Sequence, residues 1–212
     1  MGCVILGDAF LKMFYKKKWV EGMPYAPPDC YAIGRTKESL FPHQQVVDAG
    51  RAVCLDPAGC MKCENNRFET IEEGRVGKKC KDGRRLAIMI AGTFTDDGAF
   101  CMEENPDYYR NGIIGHLKVP ITSAIKYSEY VKQVGVAYGG KRPVSSLVTE
   151  IAVLTGKQNT IKNAPFEIRF TCLAPLPLNL VMAVQTSIAA AGEQILFPFP
   201  ELSAGEDAPV PF

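Results

Sequence analysis

The sequence predicts an α+β fold that is mainly β and barrel-like, with a cysteine-rich segment inserted into it. Short apolar or alternating runs bounded by turn residues indicate strands, and two longer segments with an apolar repeat of about 3.6 residues indicate helices. A stretch over residues 21–59 is rich in proline and lacks clear periodicity. Such a long stretch usually needs a device that orders it, and a metal site is one such device.

Up to residue 121 the sequence predicts three elements and a loop. Residues 1–20 alternate loosely and predict a first strand or a short helix. Residues 85–92 form a short apolar run bounded by charge and glycine, which predicts a buried strand. Residues 117–121 predict another strand. Residues 94–109 predict a loop, because they contain the turn signals Asp-Asp-Gly and Asn-Pro.

Two predicted helices flank a predicted strand pair in the rest of the chain. A helix is predicted over 122–138, where apolar side chains follow the helical period until a Gly-Gly pair ends them. Strands are predicted over 146–155 and 166–173, joined by a polar, hairpin-like loop. A last helix is predicted over 179–195, because Asn179 can cap an apolar stripe that follows it.

Composition indicates an ordinary globular protein of 212 residues, with 47% apolar and 22% charged residues. The net charge of +1 does not itself indicate a partner. The N-terminal apolar run precedes its lysines, which is the wrong order for a secretory signal. No apolar stretch approaches the roughly 20 residues that cross a bilayer. We therefore expect a soluble, cytoplasmic protein that does not bind membranes.

Eight cysteines in a cytoplasmic chain indicate metal ligands rather than disulfides. Cys60 and Cys63 form a Cys-x2-Cys pair, which can hold one metal ion from a single turn, and Cys80 follows. The candidates for a fourth ligand are Cys30, Cys54 and His43. Four thiolates predict a structural Zn²⁺ site, and an iron–sulfur cluster is an alternative that accepts the same ligands. The remaining cysteines are expected to be small core residues: Cys3, Cys101 and Cys172.

A dense basic run surrounds Cys80. Within eleven residues it carries six positive charges and one negative charge, Asp82; the cations are Arg75, Lys78, Lys79, Lys81, Arg84 and Arg85. A metal site that holds a cationic loop presents that charge to an anion, and nucleic acid is the commonest large anion in a cell.

Catalytic motifs are scarce, because the chain has no Gly-rich phosphate loop, no G-x-S-x-G and only two histidines. We therefore do not expect an enzyme.

The last residues, 201–212, predict a flexible acidic tail that ends in an aromatic residue. Its acidic side chains and terminal pair are Glu201, Glu206, Asp207, Pro211 and Phe212. Such a tail can occupy the protein's own cationic groove when DNA is absent, or insert Phe212 into a partner's pocket. An inert end is the alternative.

Several motifs resemble a family of tailed-bacteriophage single-stranded-DNA-binding proteins over most of the chain. They are Pro28-Asp29-Cys30-Tyr31, Cys60-x2-Cys63-x-Asn65-Asn66-x-Phe68, Gly77-Lys78-Lys79-Cys80-Lys81 running into Arg84-Arg85-Leu86, Val119-Pro120-x-Thr122-Ser123, and Val148-Thr149-Glu150-Ile151. The tail is similar to the acidic, Pro-Phe-ended tip of bacterial single-stranded-DNA-binding proteins, which recruits replication partners.

The resemblance implies an OB-like antiparallel barrel over residues 1–200, with a Cys-rich metal-binding insertion over 28–85 and a partner-binding tail over 201–212. It also implies sequence-tolerant binding of single-stranded DNA in phage DNA replication or recombination, in the cytoplasm of the host cell. The ligand set that it implies is Cys30, Cys60, Cys63 and Cys80.

On this basis phosphates are expected to meet Lys78, Lys79, Lys81, Arg84 and Arg85. Bases are expected to stack on Phe68, Phe94, Tyr108 or Tyr109. The tail would bind replication or recombination proteins, and a homo-oligomer is compatible with the sequence. A zinc-ribbon adaptor or transcription regulator that contacts polymerase or duplex DNA is the alternative function, and an iron–sulfur nuclease is a third.

Overall fold

A computed structural model describes residues 1–17, 26–54, 56–71, 74, 76–161 and 166–200. In these residues the fold is α+β and mainly antiparallel sheet, as predicted. The strands are β1 Gly2–Phe14, β2 Cys30–Gly34, β3 Glu69–Thr70, β4 Val76–Gly77, β5 Lys81–Ile90, β6 Gly92–Phe94, β7 Phe100–Met102, β8 Gly115–Pro120, β9 Leu147–Thr155 and β10 Phe166–Pro175. The helices are α1 Gln44–Asp48, α2 Pro106–Asn111, α3 Ile121–Ala137 and α4 Leu178–Gln194.

The main sheet has the strand order β10-β9-β1-β5-β8, and β2 pairs with β1 outside this path. Pairings are antiparallel between β1 and β2, β1 and β9, β5 and β8, and β9 and β10. The pairs β3–β4 and β6–β7 form separate two-stranded sheets. Within the described residues β8 and β10 are the two ends of the path, and no pairing closes the sheet into a barrel. The expected OB-like barrel is therefore not confirmed.

Contacts within the chain divide it into two units. The first contains Met1–Ala9 and Gly83–Ile195, and the second contains Phe10–Asp82 with the residues from Leu196 onward. The core of the first unit packs one face of α3 against the sheet. Tyr127 and Tyr130 lie on Phe170, with ring centroids 5.3 and 6.1 Å away, and the Tyr130 hydroxyl shares a 2.6 Å hydrogen bond with the Thr149 hydroxyl.

The second unit has small cores built from few side chains. Tyr31, 2% exposed, stacks on His43 and meets Phe199 edge-on, at centroid distances of 5.0 and 4.8 Å. A second cluster joins Ala32 and Leu40 to Cys60.

The predicted loop over 94–109 is instead a hairpin followed by a helix. Strands β6 and β7 pair across a turn at Asp-Asp-Gly, and Asn105 caps α2 by accepting a 2.9 Å hydrogen bond from the Asp107 amide. Pro106 occupies the first helical position, where a missing N–H costs nothing. The Asn-Pro signal marks a helix start rather than a loop.

Among the described residues no helix is both long and apolar enough to cross a membrane.

Candidate metal centre and cationic surface

Three separate segments of the second unit bring cysteines to one place. Cys60 lies in the short 3-10 turn Gly59–Met61, and Cys63 precedes the next such turn, Glu64–Asn66. Cys30 begins β2, and Cys80 immediately precedes β5. Sequence spacing alone showed only that Cys60 and Cys63 are neighbours.

Backbone hydrogen bonds hold these segments together. The Cys60 amide donates to the Leu40 carbonyl at 2.8 Å, and the Cys80 amide donates to the Asn65 carbonyl at 2.8 Å. The close approach at Leu40 depends on Gly59, which has φ of +72° and whose added Cβ would lie 2.6 Å from the Leu40 carbonyl oxygen. A glycine is therefore required here for conformation and for space.

Five thiols line one cavity of about 10 Å³ in this unit, together with Lys12. Four of them are buried and belong to the ligand set expected from the resemblance: Cys30, Cys60, Cys63 and Cys80, at 6%, 7%, 6% and 9% exposure. Cys54 lines the same cavity but is only partly buried. Burial thus distinguishes the four expected ligands from Cys54, the alternative that spacing along the chain favoured.

The thiols influence one another electrically. Burial raises the pKa of Cys60 to about 12, and the nearby Cys80, Cys30 and Cys63 add to the rise. Burial also raises the pKa of Cys80 to about 11, an effect that the Lys12 ammonium opposes. The pKa of Cys54 is raised by burial and by a hydrogen bond with Cys63. Without a metal these groups are therefore neutral thiols near pH 7.

The donor chemistry fits a closed tetrahedral site, since four buried thiols are the usual ligands of structural zinc. The placement of these side chains is a different question from their chemistry. Over the described ranges, no three His, Cys, Asp or Glu side chains converge where they could hold a metal ion.

Lys12 is a site residue that the sequence analysis missed. It is 3% exposed, and its ammonium donates to Asn66 Oδ1 at 2.6 Å and to Asp82 Oδ1 at 2.5 Å. The Lys78 ammonium donates to the same two side chains, at 3.2 Å to Asn66 Oδ1 and 3.1 Å to Asp82 Oδ2. Burial raises the pKa of Asp82, but the two lysines outweigh it and hold that pKa below its usual value. The available signal was a lysine between the apolar residues Leu11 and Met13 of a strand.

The basic run does not act as one continuous set of cations. Lys79 is exposed and pairs with Glu69 at 2.9 Å, and Lys81 is exposed with its ammonium donating to the Lys78 carbonyl at 2.6 Å. Arg75 lies outside the described residues. Lys78, Lys79 and Lys81 belong to the second unit.

The two arginines belong to the first unit and have structural contacts. Arg84 pairs with Asp8 and lies over the Tyr127 ring at 5.9 Å. Arg85 is 8% exposed and donates to the Ile195 carbonyl at 3.2 Å, at the C-terminal end of α4. A cation there also interacts favourably with the helix dipole.

The four expected stacking residues differ in exposure. Phe68 is 72% exposed, and the Lys78 ammonium lies 5.0 Å from its ring centroid. Phe94 is 38% exposed and packs on Phe100, and Tyr108 is partly exposed. Tyr109 is 0% exposed, and its hydroxyl donates to the Glu103 carbonyl at 2.8 Å. A ring with no exposed face cannot stack on a base, so Tyr109 is not one of the stacking residues.

Two further expectations concern the C-terminal tail and the cysteines that were expected in the core. The tail residues Glu206, Asp207, Pro211 and Phe212 lie outside the described part of the chain. Cys3 is a core residue, as predicted, whereas Cys101 is exposed and Cys172 is partly exposed.

No known family model, curated protein or solved structure matches this chain. Its function is therefore inferred from its own residues.

The close approach at Gly59 gives a first prediction. Gly59→Ala should lower the free energy of unfolding by more than the roughly 1–2 kcal/mol of a left-handed non-glycine residue, because the new Cβ also meets the Leu40 carbonyl. Gly50→Ala is the matched control, since Gly50 has φ of +63° and open space around its Cβ position. Urea unfolding of both variants measures the difference, and equal losses would contradict the steric explanation.

Proposed function

We propose that this chain is a non-catalytic, sequence-tolerant single-stranded-DNA-binding protein that acts in phage DNA replication or recombination. The observation that carries the proposal is the surface formed by Phe68, Lys78, Lys79 and Lys81, hereafter the Phe68 surface. An aromatic ring that is 72% exposed lies beside an ammonium group, in a stretch where two further lysines are exposed.

This pairing suits a flexible strand of nucleotides. Every base has a π face, so stacking on Phe68 needs no particular sequence, and such stacking contributes about 1–3 kcal/mol per base. A lysine near the ring is placed to meet the phosphate that flanks a stacked base. Duplex DNA keeps its bases stacked internally, so an exposed ring discriminates in favour of single strands.

The cations of the Phe68 surface contribute through phosphate neutralisation. Each phosphate contact releases condensed counterions, so the affinity falls as salt rises. Lys81 makes no ion pair among the described side chains, whereas Lys79 must exchange Glu69 for a phosphate. Lys78 keeps its contacts to Asp82 and Asn66 and therefore acts as a fixed charge.

The strand order supports an OB-like, partly open form of the sheet. If β1, β5, β8, β9 and β10 are numbered one to five, the observed order is five-four-one-two-three, and α3 lies between the third and fourth strands. An OB fold has this connectivity and binds oligonucleotides through its second and third strands and the loops after its first and fourth strands. Phe68, Lys78 and Lys79 all belong to the connection between β1 and β5.

We include a structural Zn²⁺ held by Cys30, Cys60, Cys63 and Cys80. The ion would join the three segments that carry these residues, and a closed shell of four thiolates leaves no open position for water or substrate. An iron–sulfur cluster on the same thiolates is the alternative, which the colour of the purified protein distinguishes. The tail residues Glu206, Asp207, Pro211 and Phe212 complete the proposal as a contact for replication or recombination proteins.

The ligand set is tested by metal content. We expect one zinc ion per chain in protein purified under reducing conditions, and loss of that ion in Cys60→Ser and Cys80→Ser. Cys54→Ser should keep the metal, because Cys54 is the least buried thiol at the cavity, and Cys101→Ser is the control for an exposed cysteine. Elemental analysis measures the zinc content. If Cys30→Ser retains the zinc ion and Cys54→Ser loses it, the fourth ligand is Cys54 and not Cys30.

Stacking is tested at Phe68. Phe68→Ala should weaken binding to labelled poly-dT by about 5- to 150-fold, which corresponds to one lost stacked base, and Phe68→Trp should retain it. Val76→Ala is the matched control, because Val76 is also 72% exposed and lies in β4. Fluorescence anisotropy measures the affinities. A twofold effect or less for Phe68→Ala removes this ring from the interface.

Phosphate contacts are tested by salt dependence. Substituting Lys79 and Lys81 together by Gln should reduce the slope of log K against log salt by about 1.4, which is about 0.7 for each lost phosphate contact. Substituting Lys132 and Lys141, two exposed lysines of the first unit, by Gln is the control with an equal change of net charge.

If the slope of log K against log salt is unchanged in the Lys79 and Lys81 variant, the Phe68 surface is not the DNA-binding surface. Comparison of poly-dT with a matched duplex distinguishes the functions. Preference for the duplex favours the adaptor or transcription regulator, and binding to neither indicates that the surface contacts protein.

A further inference from the structure

We propose that Lys12 is the counter-cation of the metal centre, and that Asp82 competes with the metal-bound thiolates for its ammonium group. This inference rests on the metal centre of the proposed function and adds to it the residues that set its charge balance. Neither Lys12 nor Asp82 would be a metal ligand.

The position of Lys12 is unusual for a lysine. Its side chain is almost fully buried, and it lines the same cavity as the five thiols. Burying an ammonium group is unfavourable unless opposite charge or hydrogen bonds offset the loss of water. The structure must therefore supply that compensation close to Lys12.

The described residues supply partners that Lys12 shares with a second lysine. The ammonium groups of Lys12 and Lys78 contact one carboxylate, that of Asp82, and the Asn66 amide oxygen between them is neutral. These contacts join two positive charges to one negative charge, and the more buried of the two cations, Lys12, is the one that lines the cavity.

An occupied metal site would place negative charge in this cavity. Four thiolates around one divalent ion carry a net charge of −2, which is costly in a buried cavity without nearby positive charge. Lys12 lines the same cavity as Cys60 and Cys80, so its ammonium group is placed on the side where the thiolates of an occupied site would need positive charge. A buried cation at this cavity is thus explained if the occupied site is anionic.

Asp82 acts in the opposite direction. Its carboxylate accepts a hydrogen bond from Lys12 at 2.5 Å, so it would compete with metal-bound thiolates for the same ammonium group. The same carboxylate contacts Lys78, whose ammonium lies over Phe68. Lys12, Asp82 and Lys78 thus form a series of polar contacts that leads from the lining of the cysteine cavity to the Phe68 ring, within the second unit.

Because Lys12 and Asp82 have opposite roles, substituting them should change the metal affinity in opposite directions. Lys12→Met keeps the length of the side chain without its charge, and we expect it to weaken metal binding by about 10- to 100-fold, as changes around metal ligands typically do. Asp82→Asn keeps the shape but removes the competing charge, and we expect it to strengthen metal binding. If Lys12 and Asp82 only held the fold together, losing either would weaken binding or leave it unchanged. Lys126→Met is the control, since Lys126 pairs with Glu129 in α3 of the first unit and has no role in the metal centre or the Phe68 surface.

The experiment titrates Co²⁺ into the reduced, metal-free, full-length protein and follows the thiolate-to-cobalt absorption, with Zn²⁺ competition for the final affinities. Circular dichroism of the metal-free variants checks that they fold. Should Lys12→Met fail to fold, the sign of the Asp82→Asn effect decides. Affinity within twofold of the wild type in a folded Lys12→Met, or weaker binding in Asp82→Asn, overturns the inference. Absence of any metal uptake by the wild type overturns the metal centre itself, and this inference with it.

Discussion

The second unit depends on one buried charge. Lys12 points its ammonium into a protein interior, where Asp82 and Asn66 are its hydrogen-bond partners. Because that charge cannot be left unbalanced, the segments that carry Asn66 and Asp82 must come to the same place as β1. Cys60, Cys63 and Cys80 lie close in sequence to Asn66 or Asp82, so the arrangement that satisfies Lys12 also places these three thiols at one cavity, which Cys30 reaches from β2.

The basic residues around Cys80 divide between two tasks. Lys78 and the two arginines spend their charge on carboxylates, a carbonyl or an aromatic ring of the protein itself. Lys79 and Lys81 stay exposed. A count of basic residues therefore overstates the positive charge available to a ligand. Phosphates would be attracted by this smaller set of cations, next to the Phe68 ring, which is 72% exposed.

Fold elements were predictable where one periodicity dominates. Strands β1, β5, β8, β9 and β10 and helices α3 and α4 appear close to their predicted positions, because each buries a face whose spacing is visible in the chain. The hairpin β6–β7 and helix α2 were missed because they are short, and their turn and cap residues look like those of a loop. Whether a sheet closes depends on pairing between strands far apart in sequence, which no local pattern records.

By itself the sequence determined the chemistry available at the candidate site: thiols grouped by a Cys-x2-Cys turn, a basic run, and an aromatic residue between them. Residue type and short spacing are enough for that, because they fix which donors and charges exist. Only the tertiary structure decided which are buried together. It separated Cys30 from Cys54 by burial, placed Tyr109 in the core, and brought Lys12 to Asp82 across 70 positions of chain. These outcomes follow from long-range packing and from the cost of burying charge, and neither can be seen until the chain is folded.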